Sequence, residues 1–376
     1  MHSEKFKEFL REGNLKGLSS IPKSDLHNHL ANGGNPEHVK SELLEFYKLS
    51  GKHLEFSKLP NVFENIPHMV SWRHKNFREY LHSAKNTWRY SFMQASNDGV
   101  NILSGSVFSD KREEFGSYEK LIFALKYANT FFGSNVTFLP ELSFYAKNDN
   151  EYIAKEYAAI DEMLSHDYFT SIDLCLWGTE SADFDFKSYS KIFRKAKDNG
   201  LLLKAHVGEY GTVDDVMRAV EELELDEVHH GNAAASSPQV MNWLAKNNIQ
   251  FNICPTSNIM LGRVSSYKEH PIRKLFDAGV PVTINTDDML IFGQSVSQEY
   301  LNLYSCGLMN EEELDRIRLT GLRQIDKLVK KPKIGKEMEK EVRKLWDEKI
   351  TRGEMGRPPE LNQVTEKYIY PGEPWR

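Results

Sequence analysis

The sequence predicts an α/β fold, a (β/α)8 TIM-type barrel with extra helices after its first strand and at its C-terminal end. Three observations carry that expectation. Short apolar runs rich in β-branched residues recur eight times, and segments of helical periodicity separate many of them. No GxGxxG follows the first run, as it would in an open dinucleotide-binding sheet. The runs are Asp25–Leu30, Val100–Val107, Val136–Phe144, Phe169–Trp177, Leu201–Val207, Glu227–His230, Ile249–Cys254 and Val280–Asn285. Their near-continuous apolar character suits strands of a parallel sheet covered on both faces. Asn76–Ser96, Tyr118–Phe132, Glu151–Ser165, Phe186–Asp198 and Val213–Leu225 read as amphipathic helices. Pro36–Ser96 is long for one βα connection, so extra helices over the barrel mouth are expected there. Asn310–Ile350 reads as charged amphipathic helices packed outside, and Arg352–Arg376, rich in Gly and Pro, as an irregular tail. No linker or repeat divides the chain, which is read as one domain over 1–376 with its core at about 20–350.

Composition narrows the class of function. The 376 residues include 48 Lys plus Arg against 54 Asp plus Glu, a net charge of −6. That balance argues against polymeric nucleic acid or an anionic membrane as partner, and it leaves room for a local cationic patch. No apolar run approaches the ~18 residues needed to span a bilayer. The N-terminal MHSEKFKEFLREGNLKG lacks the apolar stretch of a signal peptide. Three cysteines, Cys175, Cys254 and Cys306, form no CxxC, so no disulfide framework is expected. A soluble protein of a reducing, cytoplasmic compartment is the expectation. The 13 histidines are the less ordinary count, because several sit inside apolar strands.

Chemistry gathers at the strand ends. The first strand reads Ser24-Asp25-Leu26-His27-Asn28-His29-Leu30. Residues i and i+2 share a strand face, so His27 and His29 project together, into the barrel if Leu26 and Leu30 face outward. Two imidazoles so placed can form half of a zinc site. The fifth strand ends in Lys204-Ala205-His206-Val207-Gly208-Glu209, the sixth in Val228-His229-His230-Gly231, and the eighth leads into Thr286-Asp287-Asp288. Any one of these could be a satisfied core histidine or a helix cap. Four together, at the ends where barrels build their active sites, point to a metal-dependent catalytic centre.

These residues resemble a known family. His27-Asn28-His29, His206-Val207-Gly208-Glu209, His230-Gly231 and Asn285-Thr286-Asp287-Asp288 are similar in order and spacing to the adenosine/AMP deaminase family of the amidohydrolase superfamily. Ile172-Asp173-Leu174, Cys254-Pro255-Thr256-Ser257-Asn258 and Leu290-Ile291-Phe292 extend the agreement, which covers roughly residues 20–350. The resemblance implies that His27, His29, His206 and Asp287 hold one zinc ion, which lets a water shed a proton near neutral pH. It further implies that His230 orients that water towards C6 of a purine, that Glu209 donates a proton to N1, and that Asp288 bonds N7. The implied reaction is hydrolytic deamination of a 6-aminopurine nucleoside or nucleotide, giving the inosine-type product and ammonia. A carboxyl closed into an apolar cleft has the raised pKa such a donor needs. Strand four, Ile172-Asp173-Leu174-Cys175-Leu176-Trp177, has no lysine of the kind that bridges two metals in other superfamily members, so a single ion is expected. The H-x-E with P-C-x-x-C signature of cytidine deaminases is absent. A non-catalytic nucleoside-binding protein of the same fold would normally have lost part of this set.

The chain also departs from the family pattern. Adenosine deaminases usually continue the HxHL element with Asp-Gly, the aspartate holding the ribose 5′-hydroxyl; here Ala31-Asn32-Gly33-Gly34 follows. Ala31 cannot make that bond, so unmodified adenosine is not the expected preferred substrate. Beside a nucleoside or nucleotide of the adenine type, the alternative is a related amidohydrolase acting on a 5′-modified adenosine or another aminated ring. Gly178, two residues later than usual after Leu174, is the candidate for a backbone contact to purine N3. In the stretch from His68 to Arg78, the cations Arg73, Lys75 and Arg78 could bind a 5′-phosphate, with Gly33-Gly34 allowing close approach. The competing expectation there is a solvated loop with a helix starting at Asn76. His229 is read as structural, on the opposite side of its strand from His230. Cys254 and Trp177 are read as packing residues, and Lys327–Lys349 as a solvated helix face.

Overall fold

In a computed structural model, which describes residues 1–49, 53–81, 84–176, 184–329, 332 and 335–351, eight parallel strands stand side by side in sequence order. They are β1 (Lys23–His29), β2 (Val100–Phe108), β3 (Thr137–Tyr145), β4 (Ser171–Cys175), β5 (Leu202–Val207), β6 (Glu227–His230), β7 (Gln250–Ile253) and β8 (Val282–Ile284). Each expected run overlaps one of them, with ends that differ by two residues at most. The ring closes through a bridge between Asn28 and Asp287. There the Asp287 N–H donates to His27 O (2.9 Å) and the His29 N–H donates to Asp287 O (3.2 Å). The hydrogen bonds that shut the barrel therefore run through three of the residues singled out by the sequence.

Alternation along the strands sorts two kinds of side chain. Outward positions such as Leu103, Leu142, Leu174, Ala205, Val228 and Phe251 bury against the surrounding helices in one large apolar core. Inward positions are polar: Ser104, Glu141, Asp173, Lys204, Glu227 and Asn252 are all buried. Lys204 Nζ lies 2.7 Å from Glu141 Oε2 and 3.5 Å from Glu227 Oε2, so the charges of the barrel interior are mutually paired. Leu26 departs from the expected outward alternation. It packs with Ile102, Leu139 and Leu328 on the barrel floor, and a register irregularity between Asp25 and Asn28 still lets His27 and His29 converge.

The long connection after β1 forms helices Pro36–Leu49, Ile66–Leu81 and Ala84–Asn97. Val39, Leu43, Phe63, Met69 and Trp72 pack on Met260, Leu261 and Leu290, beyond the ends of β7 and β8, which roofs the mouth as expected. The loop expected before Asn76 is instead helix. Asn65 caps it by accepting from the His68 N–H (2.8 Å), and it kinks at Phe77 (φ −128°, ψ 18°). Met69 and Trp72, one turn apart, supply its buried face, while the charges nearby hid that periodicity in the sequence. The helix expected over Asn76–Ser96 is accordingly the end of this element and the next one.

At the C-terminal side, helix Glu311–Leu322 is capped reciprocally by Asn310 and Glu313 and packs against β8 and β1. Helix Gly335–Thr351 buries Val342 and Trp346 against helix Tyr118–Phe132. Lys327 is not part of a solvated face. Its Nζ turns into the barrel floor and donates to Gln250 Oε1 (2.8 Å) and Glu227 Oε1 (3.1 Å). The expected tail lies outside the described residues. Among those described, no helix is long and apolar enough to cross a membrane.

Candidate active site

The ends of β1, β5 and β6 and the turn after β8 converge on one point. His27 Nε2 and His29 Nε2 lie 3.3 and 3.2 Å from the same atom, Asp287 Oδ1. His206 Nε2 is 3.4 Å from His29 Nε2. His27 is buried, yet neither of its ring nitrogens makes a hydrogen bond. A buried polar atom left unpaired costs roughly 1–3 kcal/mol, so the fold holds these donors together against their own preference. Burial drives His27 well below its usual pKa. At His29 burial acts in the same direction, but Asp288 and Asp287 outweigh it and lift the group to about 9. Burial works against ionisation of Asp287, and His27 and His29 nevertheless hold its carboxyl well below the usual range. The cluster is thus built to receive positive charge, and nitrogen and oxygen donors of this kind fit a divalent metal. Distance alone permits several trios to share an ion, including His27, His206 and His230, and also His29, Asp287 and Asp288.

Further polar groups orient the donors. His206 Nδ1 meets Asp173 Oδ1 at 3.0 Å, and Asp173 Oδ2 accepts from Ser143 Oγ at 2.9 Å. Ser106 Oγ sits 3.0 Å from His29 Nδ1, and Ser257 Oγ donates to Asp287 Oδ2 at 2.6 Å. Such partners fix ring planes and tautomers around a metal. His229 corrects the sequence expectation. It faces inward, its ring 4.0 Å from that of His27 and its Nε2 3.3 Å from Glu141 Oε1. Glu227 faces inward and Val228 outward, so alternation itself turns His229 inward. The left-handed φ of +64° at His230 breaks that alternation and brings His230 to the barrel as well. Cys254 is fully buried, and burial pushes its thiol well above its usual pKa.

Around this cluster stand two carboxyls. Glu209 Oε1 is 3.7 Å from His230 Nδ1 and 3.5 Å from Asn258 Nδ2. Burial lowers the pKa of His230 to about 3, so it is neutral. Asp288 Oδ1 accepts from Asn32 Nδ2 at 2.7 Å, and Asn32 Oδ1 accepts from Arg73 Nη1 at 3.3 Å. Arg73 is half-buried and its Nε has no hydrogen-bond partner. Lys75 is exposed; two residues further along a helix a side chain points to nearly the opposite face, so it does not join Arg73. Gly178, Trp177 and the side chain of Arg78 lie outside the described residues. Sequence reasoning missed Asn32 as the link between Asp288 and Arg73. It also missed His270, buried 3.2 Å from Asn258 Oδ1. Asn32 had a signal, a polar residue three after the HxH; His270 had none.

A parallel eight-stranded barrel with this cluster at its strand ends defines a hydrolase of the amidohydrolase type. The adenosine deaminase family profile matches residues 118–331. A Treponema pallidum (strain Nichols) protein assigned as an adenosine/adenine deaminase is 30% identical over 303 residues, spanning 79% of this chain and 96% of its own. Among solved structures, adenine deaminase from Arthrobacter aurescens superposes with a TM-score of 0.66 at 17% identity, over 87% of this chain and 99% of that one. The N6-mAMP deaminase of arabidopsis gives 0.66 at 18% identity, over 88% and 99%. The chain belongs to the adenosine deaminase family.

Proposed function

We propose that this protein is a zinc-dependent aminohydrolase that converts a 6-aminopurine nucleoside or nucleotide into its 6-oxo product and ammonia. The observation that carries this is one mouth in which Glu209 adjoins His230 and Asp288 adjoins His29, with the histidine–aspartate cluster between them. His27, His29, His206 and Asp287 would hold the ion. When bound, zinc supplies a Lewis acid that lets a water shed its proton near neutral pH. His230 hydrogen-bonds the attacking oxygen and directs it at C6. Glu209 passes a proton to ring N1, which draws electron density from C6 and makes it the point of attack. Asp288, held in place by Asn32, engages the N7 edge and fixes the ring plane. With both ring edges held, Glu209, left ionised by its transfer to N1, collects the remaining proton of the attacking oxygen and hands it to the amine. The C6–N bond then breaks, ammonia leaves and a C6 carbonyl with N1–H remains.

A nucleotide is favoured over a nucleoside by Arg73. Its Nε–H is buried without a partner while its Nη1 donates to Asn32, which keeps the guanidinium beside the Asp288 end of the site, and Ala31 offers a 5′-hydroxyl no acceptor. The test is turnover of adenosine, deoxyadenosine, AMP, dAMP, adenine and 5′-modified adenosines by zinc-loaded enzyme, followed by absorbance and ammonia release. AMP or dAMP should show the highest kcat/KM. Faster turnover of the free nucleosides would overturn the phosphate assignment alone, and no ammonia from any substrate would overturn the aminohydrolase.

A further inference from the structure

We infer that a relay from the backbone of Ile272 through His270 and Asn258 fixes the proton of His230 on Nε2. His270 and Asn258 are then positioning residues, and His230 is excluded from the metal ligands. The inference rests on the metal-centred function proposed above and decides a point that distance leaves open, since His27, His206 and His230 lie close enough to share an ion.

The direction of the relay follows from what each group can do. A backbone N–H only donates, so Ile272 N, 3.1 Å from His270 Nδ1, requires a lone pair on that nitrogen. A neutral His270 then carries its proton on Nε2, and 3.2 Å away lies Asn258 Oδ1, which accepts it. That sets the amide the other way round at its far end. Asn258 Nδ2 donates to His230 Nδ1 at 3.1 Å and faces Glu209 Oε1 at 3.5 Å. His230 Nδ1 is therefore an acceptor, and the single proton of the neutral ring sits on Nε2. A protonated nitrogen has no lone pair to give a metal. His206 is wired in the opposite sense: its Nδ1 faces the carboxylate of Asp173, which only accepts, so its Nε2 presents the lone pair.

Water does not rewire this chain. His270, Asn258 and His230 are 2%, 0% and 1% exposed. In a dry interior each bond reinforces the next, and reversing one reverses all. The consequence for the chemistry is specific. His230 meets the reacting oxygen as a hydrogen-bond donor, and in this tautomer its Nε2 takes no proton from it.

The experiment uses full-length protein labelled with 15N-histidine, metal-free and loaded with 113Cd. His230 should show the Nε2–H tautomer in both states. Ring protons of His27, His29 and His206 should couple to cadmium, and those of His230 should not. Asn258→Asp replaces the donor with a group that can only accept, so His230 should switch to Nδ1–H. Its kcat should fall ~10²-fold with one metal per chain retained. The wild-type spectra decide the matter even if N258D folds poorly. An Nδ1–H tautomer in wild type, cadmium coupling to His230, or an unchanged tautomer in folded N258D would each overturn the relay. Absence of coupling to His27, His29 and His206 would instead overturn the ligand set of the proposed function.

Discussion

Replacing Glu299 with glutamine should stabilise the protein progressively as pH rises from 5 to 9. Glu299 is 1% exposed on the helix Val296–Ser305. Its Oε1 accepts from the Thr256 N–H at 3.1 Å, and its Oε2 is buried with no hydrogen-bond partner. Burial raises its pKa to about 8 from the ordinary 4.5, against the opposing pull of Thr256. Between those values the folded chain keeps a proton that the unfolded chain has released, so stability falls as pH rises through the window and levels off above 8. At ~1.36 kcal/mol per unit, the full interval caps the loss at roughly 4–5 kcal/mol, and relaxation around the charged form brings the expectation to about 2 kcal/mol. Glutamine keeps the acceptor for Thr256 and never ionises. Any cost of burying its amide is the same at every pH, so the slope of the difference is the quantity to read. Lys23, lowered to about 8 by burial, acts in the opposite sense between 8 and its ordinary 10.5 and cancels between the two proteins. Urea unfolding of wild type and E299Q at pH 5, 7 and 9, at constant zinc, measures the difference. A gap that does not widen with pH would refute the reasoning.

Three further outcomes are expected at the site. Glu209→Gln should retain its zinc, checked by metal analysis, and lose at least ~10²-fold in kcat; near-wild-type turnover would remove Glu209 as proton donor. Arg73→Ala should raise KM for AMP about tenfold more than KM for adenosine, the scale of one charge-assisted contact, since loss of its bond to Asn32 touches both substrates alike. Lys75→Ala should change neither, and equal losses in both variants would place the phosphate elsewhere. Chelation should abolish ammonia release while far-ultraviolet circular dichroism stays native, because the apolar core outside the strands does not pass through the metal site. Deamination that survives rigorous metal removal would count against the ion.

The eight strands were legible because their outward faces are buried under helices, which leaves near-continuous apolar runs in the sequence. His27, His29, His206 and Asp287 were legible because they sit at the ends of those runs. Their anchors were not. His206 meets Asp173 across 33 residues, and Leu26 N–H meets Asn285 Oδ1 across 259, so no local pattern announces either pair. That His229 and His230 both face inward depends on one left-handed backbone angle at His230, which alternation cannot foresee. The helix Ile66–Leu81 was readable in principle. Asn65-Ile66-Pro67 is a cap followed by an early proline, and it was obscured by the charges around Met69 and Trp72.

The polar barrel interior follows from the same site. Buried imidazoles that must keep lone pairs aimed at one point need fixed acceptors behind them, and an apolar filling supplies none. Asp173 is such an acceptor for His206, and Glu141 for His229 beside His27. With Asp173, Glu141 and Glu227 the interior holds three carboxylates, and Lys204, beside the two glutamates, offsets part of their charge. Lys327 adds a second cation at the floor. The pairing is therefore required by the anchors, with little net gain in stability expected from it. Closure and chemistry are joined in the same way at Asp287: its left-handed φ of +60° lets its backbone bridge β1 while its side chain points at His27 and His29.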